Sequence, residues 1–472
     1  MHKTEHALRR MKSGYKSALI LGLGESGAAA ARLLSAGGAR VKVLDENRSD
    51  EILARAAELD ALGAAVSAGV KRIPAGNYEV CVVSPGLPPG SPLLREVESL
   101  GISIIPEFEL GWSEAGCPAL AITGSNGKST CVKLCQESLA AAGVKAFAAG
   151  NYGPSVSRVA LEHPDAEWLV IEVSSFQLER ARAFRARASV VLNVFPNHLD
   201  RHDDFKTYIA LKARLLAMVE NGGRAIANET DLAQLGRLAG SGQRLVSFGL
   251  TGKADFRFHG HAVTARPGNY RADLAGTHFD NEILGTAAAA AAAAMEACGV
   301  PAECLERAAR AFKPLPHRMQ AIGSIKGVRF VDDSKATNLA SMLAALRMVK
   351  GRARLIAGGL PKHESYAPAR ELLAAKAAGV YLIGKAAEEM ASAWRGAAEC
   401  HMCGTLARAV EKAWGHATAG ETVLLSPACA SFDQFRSFEE RGAVFRSQYE
   451  KIAAHNPEAQ TQPAAGTSNK EG

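Results

Sequence analysis

Lys128, Ser129 and Thr130 follow directly on Gly127, at the end of the run Ala119-Leu120-Ala121-Ile122-Thr123-Gly124-Ser125-Asn126-Gly127-Lys128-Ser129-Thr130. The run reads as a buried strand, a glycine turn and a helix beginning near Ser129. A cation and hydroxyls immediately after a glycine at a helix start are the parts of a phosphate cradle. Backbone N–H groups point inward, the helix end adds positive potential, the lysine meets the anion and a hydroxyl can reach a metal. Ile122 stands where the strict G-x-x-x-x-G-K-[ST] pattern needs its first glycine, so the loop is a shorter variant. A glycine turn with a solvated lysine is the plainer reading, but it gives the hydroxyls no task.

Other residues of the same segment could join that chemistry. Glu172 stands just past the buried strand Trp168-Leu169-Val170-Ile171, where a carboxylate could hold Mg²⁺ or cap the next helix. A strand over 189–194 leads to Phe195-Pro196-Asn197-His198-Leu199-Asp200-Arg201-His202. His198 then joins Glu172 and Ser129 on one rim of strand ends as a metal or phosphate contact, and His202 is given no role. Lys212 lies on a helix expected over 205–218, on a face with Tyr208 and Leu215. Spacing alone makes it a solvated helix lysine.

These groups need a scaffold of alternating strands and helices. At the start, Ser17-Ala18-Leu19-Ile20-Leu21 is followed by Gly22-Leu23-Gly24-Glu25-Ser26-Gly27, an Ala-rich helix to Leu34, and a strand over 41–44 ending in Asp45. That is a dinucleotide-type fingerprint with an acid after the second strand. It suggests a nicotinamide enzyme, yet the same turn accepts any nucleotide diphosphate. Strands over 79–83 and 102–105 end in Ser84-Pro85-Gly86 and Pro106-Glu107, a rim of donors where open α/β sheets bind ligands. A simple turn also accounts for Ser84-Pro85-Gly86.

The last third alternates again, with strands over 328–331, 354–357, 380–383 and 422–425 and helices over 338–348, 386–394 and 406–414. This predicts a parallel sheet covered on both faces. Polar groups gather after three of these strands, in Asp332-Asp333-Ser334-Lys335-Ala336-Thr337-Asn338, Gly358-Gly359-Leu360-Pro361-Lys362 and Ser426-Pro427-Ala428-Cys429-Ala430-Ser431-Phe432-Asp433-Gln434-Phe435. Residues 1–16 read as a loose basic arm. The Pro/Gln/Ala/Ser/Gly-rich tail from Asn456 reads as disordered.

A chain of 472 residues is expected to hold two or three domains. With 47% hydrophobic and 22% charged residues it has an ordinary soluble composition, and its net charge of +7 is dispersed. That charge fits anionic small substrates and is no nucleic-acid footprint. The nine cysteines are scattered through apolar stretches, which points to reduced thiols and a cytoplasmic protein. Cys400-His401-Met402-Cys403 has no second pair at zinc spacing. No apolar run follows the basic start, so no secretory signal is expected, and Ala287 to Ala294 is too short to span a bilayer.

Taken in order, the motifs resemble the Mur ligase family, and within it the branch that adds D-glutamate during peptidoglycan precursor synthesis. The resemblance covers Leu19 to about Tyr449. It rests on Thr123 to Thr130, Glu172-Val173-Ser174-Ser175-Phe176-Gln177-Leu178, Asn197-His198-Leu199-Asp200-Arg201, Pro316-His317-Arg318, Asp333 to Asn338, and Leu425 to Ser431. It implies an α/β fold of three domains. A Rossmann-like UDP-binding domain spans 17–112, a P-loop-type ATPase domain with a mostly parallel sheet spans 113–318, and a Rossmann-like domain spanning 319–455 closes on ATP and binds D-glutamate. The arm of 1–16 and the tail of 456–472 flank them.

The resemblance also implies roles. UDP-N-acetylmuramoyl-L-alanine would meet Gly24, Glu25, Ser26, Asp45, Ser84, Gly86, Asn151 and Gln177, so the fingerprint would bind no nicotinamide. ATP would meet Gly124, Asn126, Gly127, Lys128, Ser129, Thr130, Asn281, Arg318, Asp333 and Lys335. Ser129, Glu172 and His198 match Mg²⁺ positions, and Lys212 matches a lysine that is carbamylated by CO₂ and can hold a second Mg²⁺. D-Glutamate would meet Thr337, Lys362, Ser431, Phe432 and Phe438. Lys128, His198 and Lys212 form the implied catalytic set, in a monomer without nucleic-acid or membrane partners.

The chain departs from the family pattern in places. Gly276-Thr277-His278-Phe279-Asp280-Asn281-Glu282-Ile283-Leu284 keeps one clear Asn, Asn281, where an Asn-rich adenine motif is usual. Around Lys362 the usual acid and glycine are missing, and Phe432 replaces a smaller apolar residue. The competing readings are an amide ligase of the same superfamily with another amino acid, a nicotinamide oxidoreductase, and a non-catalytic nucleotide binder. The last two leave the conjunction of Lys128, Glu172, His198 and Lys212 without a purpose.

Overall fold

The structure is a computed structural model that describes residues 12–88, 90–197, 201–202, 204–239, 244–362, 364–456 and 460–461. The chain divides into two compact units, Met1–Val194 with Lys206–Phe312, and Phe195–Phe205 with Lys313–Gly472.

The first unit begins with a parallel sheet of β1 (Ser17–Leu21), β2 (Arg40–Asp45), β3 (Ala65–Ala68), β4 (Val80–Val83) and β5 (Ile104–Pro106), in the order β3-β2-β1-β4-β5. The central strands β1 and β4 are buried along their whole length, which is why they read as unbroken apolar runs. The strand order reverses at β1, so the turn after β1 and the end of β4 share one crevice. Gly22 has φ +91°, and a Cβ on Gly27 would lie 1.8 Å from the Gly22 carbonyl oxygen. The glycine fingerprint is therefore required by how closely the helix Glu25–Ala36 approaches the turn.

The same unit holds a nine-stranded sheet in the order β14-β13-β12-β11-β10-β9-β6-β8-β7. Its strands are β6 (Ala119–Thr123), β7 (Ala146–Gly150), β8 (Trp168–Glu172), β9 (Ala186–Val191), β10 (Val219–Asn228), β11 (Val246–Gly249), β12 (Phe256–His259), β13 (Ala262–Ala265) and β14 (Arg271–Asp273). Pairing is parallel from β7 across to β12 and antiparallel beyond it. The mostly parallel central sheet was expected; its antiparallel edge was not, because those short strands carry only a few alternating residues. The helix Glu282–Ala297 buries Ala288 to Ala294 against the helix Lys128–Ala141, where small side chains allow a close approach.

In the second unit β15 (Gln320–Ile325), β16 (Val328–Asp332), β17 (Ala353–Gly358), β18 (Ala377–Ile383), β19 (Cys400–Gly404), β20 (Thr422–Leu425) and β21 (Gln460–Thr461) lie in the order β19-β18-β17-β20-β16-β15-β21. One face is covered by the helices Leu339–Met348, Arg370–Lys376 and Ala387–Ala393, the other by Leu406–His416 and Phe438–Ala454. That is the two-faced parallel sheet expected, with β15 and β21 added as antiparallel strands at one edge.

Some local readings change. The strand expected over 189–194 is β9 at Ala186–Val191, because the chain from Leu192 turns to brace the neighbouring loop. The strand expected over 102–105 starts at Ile104, since the Ile102 N–H is taken by the Val97 carbonyl at the end of a helix. The described end of the basic arm is not loose. Lys12 and Ser13 N–H donate to the Glu114 carboxylate at 3.0 Å each, and Lys16 N–H donates to Glu79 at 2.7 Å. Gln460–Thr461, within the tail expected to be disordered, pairs with β15.

Candidate active site

Register decides which loops meet. In the nine-stranded sheet Ile122 pairs with Glu172, Gly150 with Glu172, and Thr123 with Val191. The ends of β7, β8, β6 and β9 are therefore level, and the residues just beyond them gather on one rim. Gly127, at φ +81°, turns the chain into the helix Lys128–Ala141, one residue earlier than expected. Lys128 Nζ donates to the Gly124 and Ser125 carbonyls at 3.0 and 3.1 Å. Ser129 and Thr130 are buried on the first turn.

Ser129 Oγ donates to Glu172 Oε2 at 2.7 Å, and Asn151 Nδ2 to Glu172 Oε1 at 2.6 Å. Glu172 does not cap the following helix. Ser174 does, in a capping box with Gln177, whose Oε1 accepts from Ser174 N–H at 2.8 Å. A hydroxyl and a carboxylate at a phosphate turn are hard oxygen donors that suit Mg²⁺, which needs one or two carboxylates besides phosphates and water. Among the described residues no cluster of three or more His, Cys, Asp or Glu could hold a metal. His198 lies outside the described residues.

Lys212 overturns the reading from spacing. It is 2% exposed, its Nζ donates to the Gly124 carbonyl at 2.9 Å and to Thr123 Oγ1 at 3.3 Å, and it lies 4.7 Å from the Tyr208 ring centroid. Burial and the nearby Lys128 charge hold its amine well below the ordinary lysine value, with Glu172 opposing. Tyr208, one turn earlier, reaches Ser125 Oγ at 3.1 Å through its own hydroxyl. Lys212 thus lies against the back of the cradle, where burial disfavours its ammonium form.

In the first sheet, Asp45 accepts from Leu23 N–H at 2.6 Å and Asn47 N–H at 2.7 Å, so its carboxylate braces the glycine turn. Ser84 Oγ donates to the Gly22 carbonyl at 3.0 Å, tying the two sides of the crevice. Gly24 caps the helix Glu25–Ala36, with Glu25 exposed, Ser26 half-buried and open space around Gly86. Leu21 pairs with both Leu44 and Val83, so the loops that carry these six residues leave one edge of the sheet. Asn151 and Gln177 lie instead on the cradle rim, holding Glu172 and Ser174.

In the second unit Asp332 and Ile356 both pair with Leu425, so the loops after β16, β17 and β20 leave one edge. Asp333 is buried there, accepts from Ser426 Oγ at 2.8 Å and Met319 N–H at 3.1 Å, and is pushed up to about 7 by burial. Lys335 Nζ lies 3.6 Å from the Phe438 ring centroid. Arg318 is half-buried and its charge acts on Asp333. Thr337 N–H donates to the Lys335 carbonyl at 2.9 Å. Lys362 is half-buried beside the Leu360 and Ala430 bridge, Ser431 is buried, and Phe432 is 70% exposed.

Sequence reasoning missed residues that hold these loops. Arg441 is fully buried and donates to Ser334 Oγ at 3.0 Å, the Ser334 carbonyl at 2.7 Å and the Cys429 carbonyl at 3.1 Å. His317 Nδ1 meets Asp332 at 2.7 Å. An arginine that follows two glutamates on a helix gives no sign that it is buried. Asn281 caps the alanine helix, accepting from Leu284 N–H at 3.0 Å and donating to the His278 carbonyl at 3.2 Å. No described helix is long and apolar enough to cross a membrane.

Family models match each part of the chain: the Mur ligase MurD-like N-terminal domain over residues 16–106, the Mur ligase middle domain over 122–293, and the Mur ligase glutamate ligase domain over 317–429. A Myxococcus xanthus protein named UDP-N-acetylmuramoylalanine--D-glutamate ligase is 39% identical over 453 residues, covering 93% of this chain and 99% of its own. One of the same name from Acidobacterium capsulatum is 36% identical over 463 residues, covering 95% and 99%. Among solved structures, the MurF ligase from Thermotoga maritima in complex with ADP superimposes with a TM-score of 0.62 at 15% identity, over 95% of this chain and 100% of that one. With three domain models and relatives matched over nearly their whole length, the chain belongs to the Mur ligase family.

Proposed function

We propose that this chain joins D-glutamate to the L-alanyl carboxylate of UDP-N-acetylmuramoyl-L-alanine, driven by ATP, as a cytoplasmic monomer in peptidoglycan precursor synthesis. The observation that carries the reading is the convergence of Ser129, Glu172 and a buried Lys212 on one phosphate turn. It is supported by relatives 36–39% identical that bear the name of that ligase.

A carboxylate is a poor acyl donor. The substrate carboxylate oxygen attacks the γ-phosphorus of ATP, the bond to the β-phosphate oxygen breaks, and an acyl phosphate and ADP result. Lys128 is assigned to the phosphates, leaving its carbonyl partners for the anion. Gly124, Asn126, Gly127 and Thr130 complete the cradle, and Asn281 is assigned to the adenine side. Mg²⁺ held by Ser129, Glu172 and His198 would offset the charge gathered in transfer. The lowered lysine value favours addition of the Lys212 amine to CO₂, which would form an N–C bond, release a proton and leave a carboxylate suited to a second Mg²⁺. The amine of D-glutamate then attacks the acyl carbon, and phosphate leaves from the tetrahedral intermediate.

The crevice of Gly24, Glu25, Ser26, Asp45, Ser84 and Gly86 is assigned to the UDP group, with Asn151 and Gln177 nearer the reacting end. In the second unit Arg318, Asp333 and Lys335 are assigned to nucleotide. Thr337, Lys362, Ser431, Phe432 and Phe438 are assigned to D-glutamate, whose two carboxylates need a cation and hydroxyls.

Phosphate release with ATP, Mg²⁺ and UDP-N-acetylmuramoyl-L-alanine, comparing D-glutamate with L-glutamate, L-alanine and diaminopimelate, tests the reading. Release dependent on D-glutamate alone is expected. Release with another amine instead would keep the mechanism and discard the assigned amino acid.

A further inference from the structure

A loop that receives phosphate must offer N–H groups and keep its carbonyl dipoles off the anion. Four carbonyls lie in the turn between β6 and the Lys128–Ala141 helix, and each has a donor; that of Gly127 accepts from Cys131 N–H at 3.0 Å as the helix begins. Gly124 O accepts from Lys212 Nζ at 2.9 Å and Lys128 Nζ at 3.0 Å, and Ser125 O accepts from Lys128 Nζ at 3.1 Å. Asn126 O accepts from Asn193 Nδ2 at 3.1 Å, while Asn126 N–H donates to Asn193 Oδ1 at 2.9 Å. A single amide side chain closes both backbone groups of Asn126, as a neighbouring strand would.

Asn193 can do this because β6–β9 pairing continues past the strand ends. Leu192 N–H donates to the Thr123 carbonyl at 2.9 Å and Ser125 N–H to the Asn193 carbonyl at 3.0 Å. The next step of that ladder is made by the Asn193 side chain. Leu192 fills the space beside the turn, its Cβ 3.0 Å from where a Cβ on Gly124 would be.

We propose that Asn193 is a positioning residue for the nucleotide, which acts by turning the Asn126 carbonyl out of the anion's path. The two lysine-bound carbonyls differ from it, since a lysine on a flexible stem can leave one carbonyl for phosphate. The rigid amide of Asn193 stays. It keeps the Asn126 carbonyl from opposing the positive end of the helix, which attracts the phosphates. The role rests on reading this turn as the ATP site.

The test is calorimetric binding of ATP with Mg²⁺, without the other substrates, to the full chain and to Asn193→Ala, Asn193→Asp and Asn193→Ser. Melting temperatures and the KM values for ATP and D-glutamate are measured alongside. Asn193→Ala is expected to weaken ATP binding roughly tenfold or more and raise the KM for ATP in parallel, with the KM for D-glutamate unchanged. Asn193→Asp should be weaker still, because it offers Asn126 O no donor and adds a charge of the phosphate's own sign. Asn193→Ser, which keeps a donor, should lie between alanine and the natural residue. Folded variants that bind ATP as the unaltered protein does would overturn the role. So would losses that follow melting temperature and raise both KM values together. An unaltered protein that binds no nucleotide would instead overturn the ligase reading itself.

Discussion

Ser129 and Glu172 are 43 positions apart, yet the Ser129 hydroxyl lies 2.7 Å from the Glu172 carboxylate because Ile122 and Glu172 are register partners in adjacent parallel strands. Their donors suit a hard cation beside phosphate. Glu172→Gln keeps the shape and can keep the bonds to Ser129 and Asn151, but it removes the charge. Phosphate release at fixed Mg²⁺ should fall by roughly two orders of magnitude, with little change in melting temperature. Mg²⁺ titration of the residual activity checks this, and an unchanged Mg²⁺ dependence would count against the metal role.

Lys212 supports a second prediction. Its folded-state value is depressed, so its contribution to stability is complete above the ordinary lysine value and is lost as pH falls toward the folded value. Lys212→Met replaces a buried amine with an apolar side chain of similar length. It should abolish ligation while leaving the fold at least as stable at neutral pH, and the stability gain on raising pH should shrink. Incubating the unaltered protein with ¹³C-bicarbonate should give a carbamate carbon signal that the methionine variant lacks.

Glu107 is fully buried, and its carboxyl is pushed up to about 7 by burial, opposed by the hydrogen bond from Ser157 N–H. The sign is opposite to that of Lys212. Stability from the raised value is complete below the ordinary glutamate value and is lost as pH rises through about 7. Glu107→Gln can keep the 2.6 Å bond from Ser157 and cannot ionise. Urea unfolding of the two proteins from pH 4 to pH 8 should therefore diverge, with the glutamine variant gaining roughly 3 kcal/mol relative to the unaltered protein at the upper end. Parallel curves would remove Glu107 as the cause.

Arg441 joins the loop after β16 to the loop after β20 through its bonds to Ser334 and Cys429. Removing it leaves buried carbonyls and a hydroxyl short of a donor. Arg441→Met should cost about 3 kcal/mol or more by urea unfolding. Arg441→Lys should recover only part of this, because one ammonium cannot reproduce the guanidinium fork.

Much was legible from residue order alone. Gly22 to Gly27 and Thr123 to Thr130 announce two phosphate-type turns, since only glycine tolerates those backbone angles and approaches. The apolar runs of β1, β4, β6 and β8 announce parallel strands because both faces are covered. What only the tertiary structure decided was partnership. Lys212 reads as a surface lysine until the packing of its helix buries it against Thr123 and Gly124. Asn151, Asn193 and Arg441 carry no local signature either, since each acts on a backbone or carboxylate group distant in sequence. Sequence period sets which face a residue takes, whereas strand register and loop closure set what it meets.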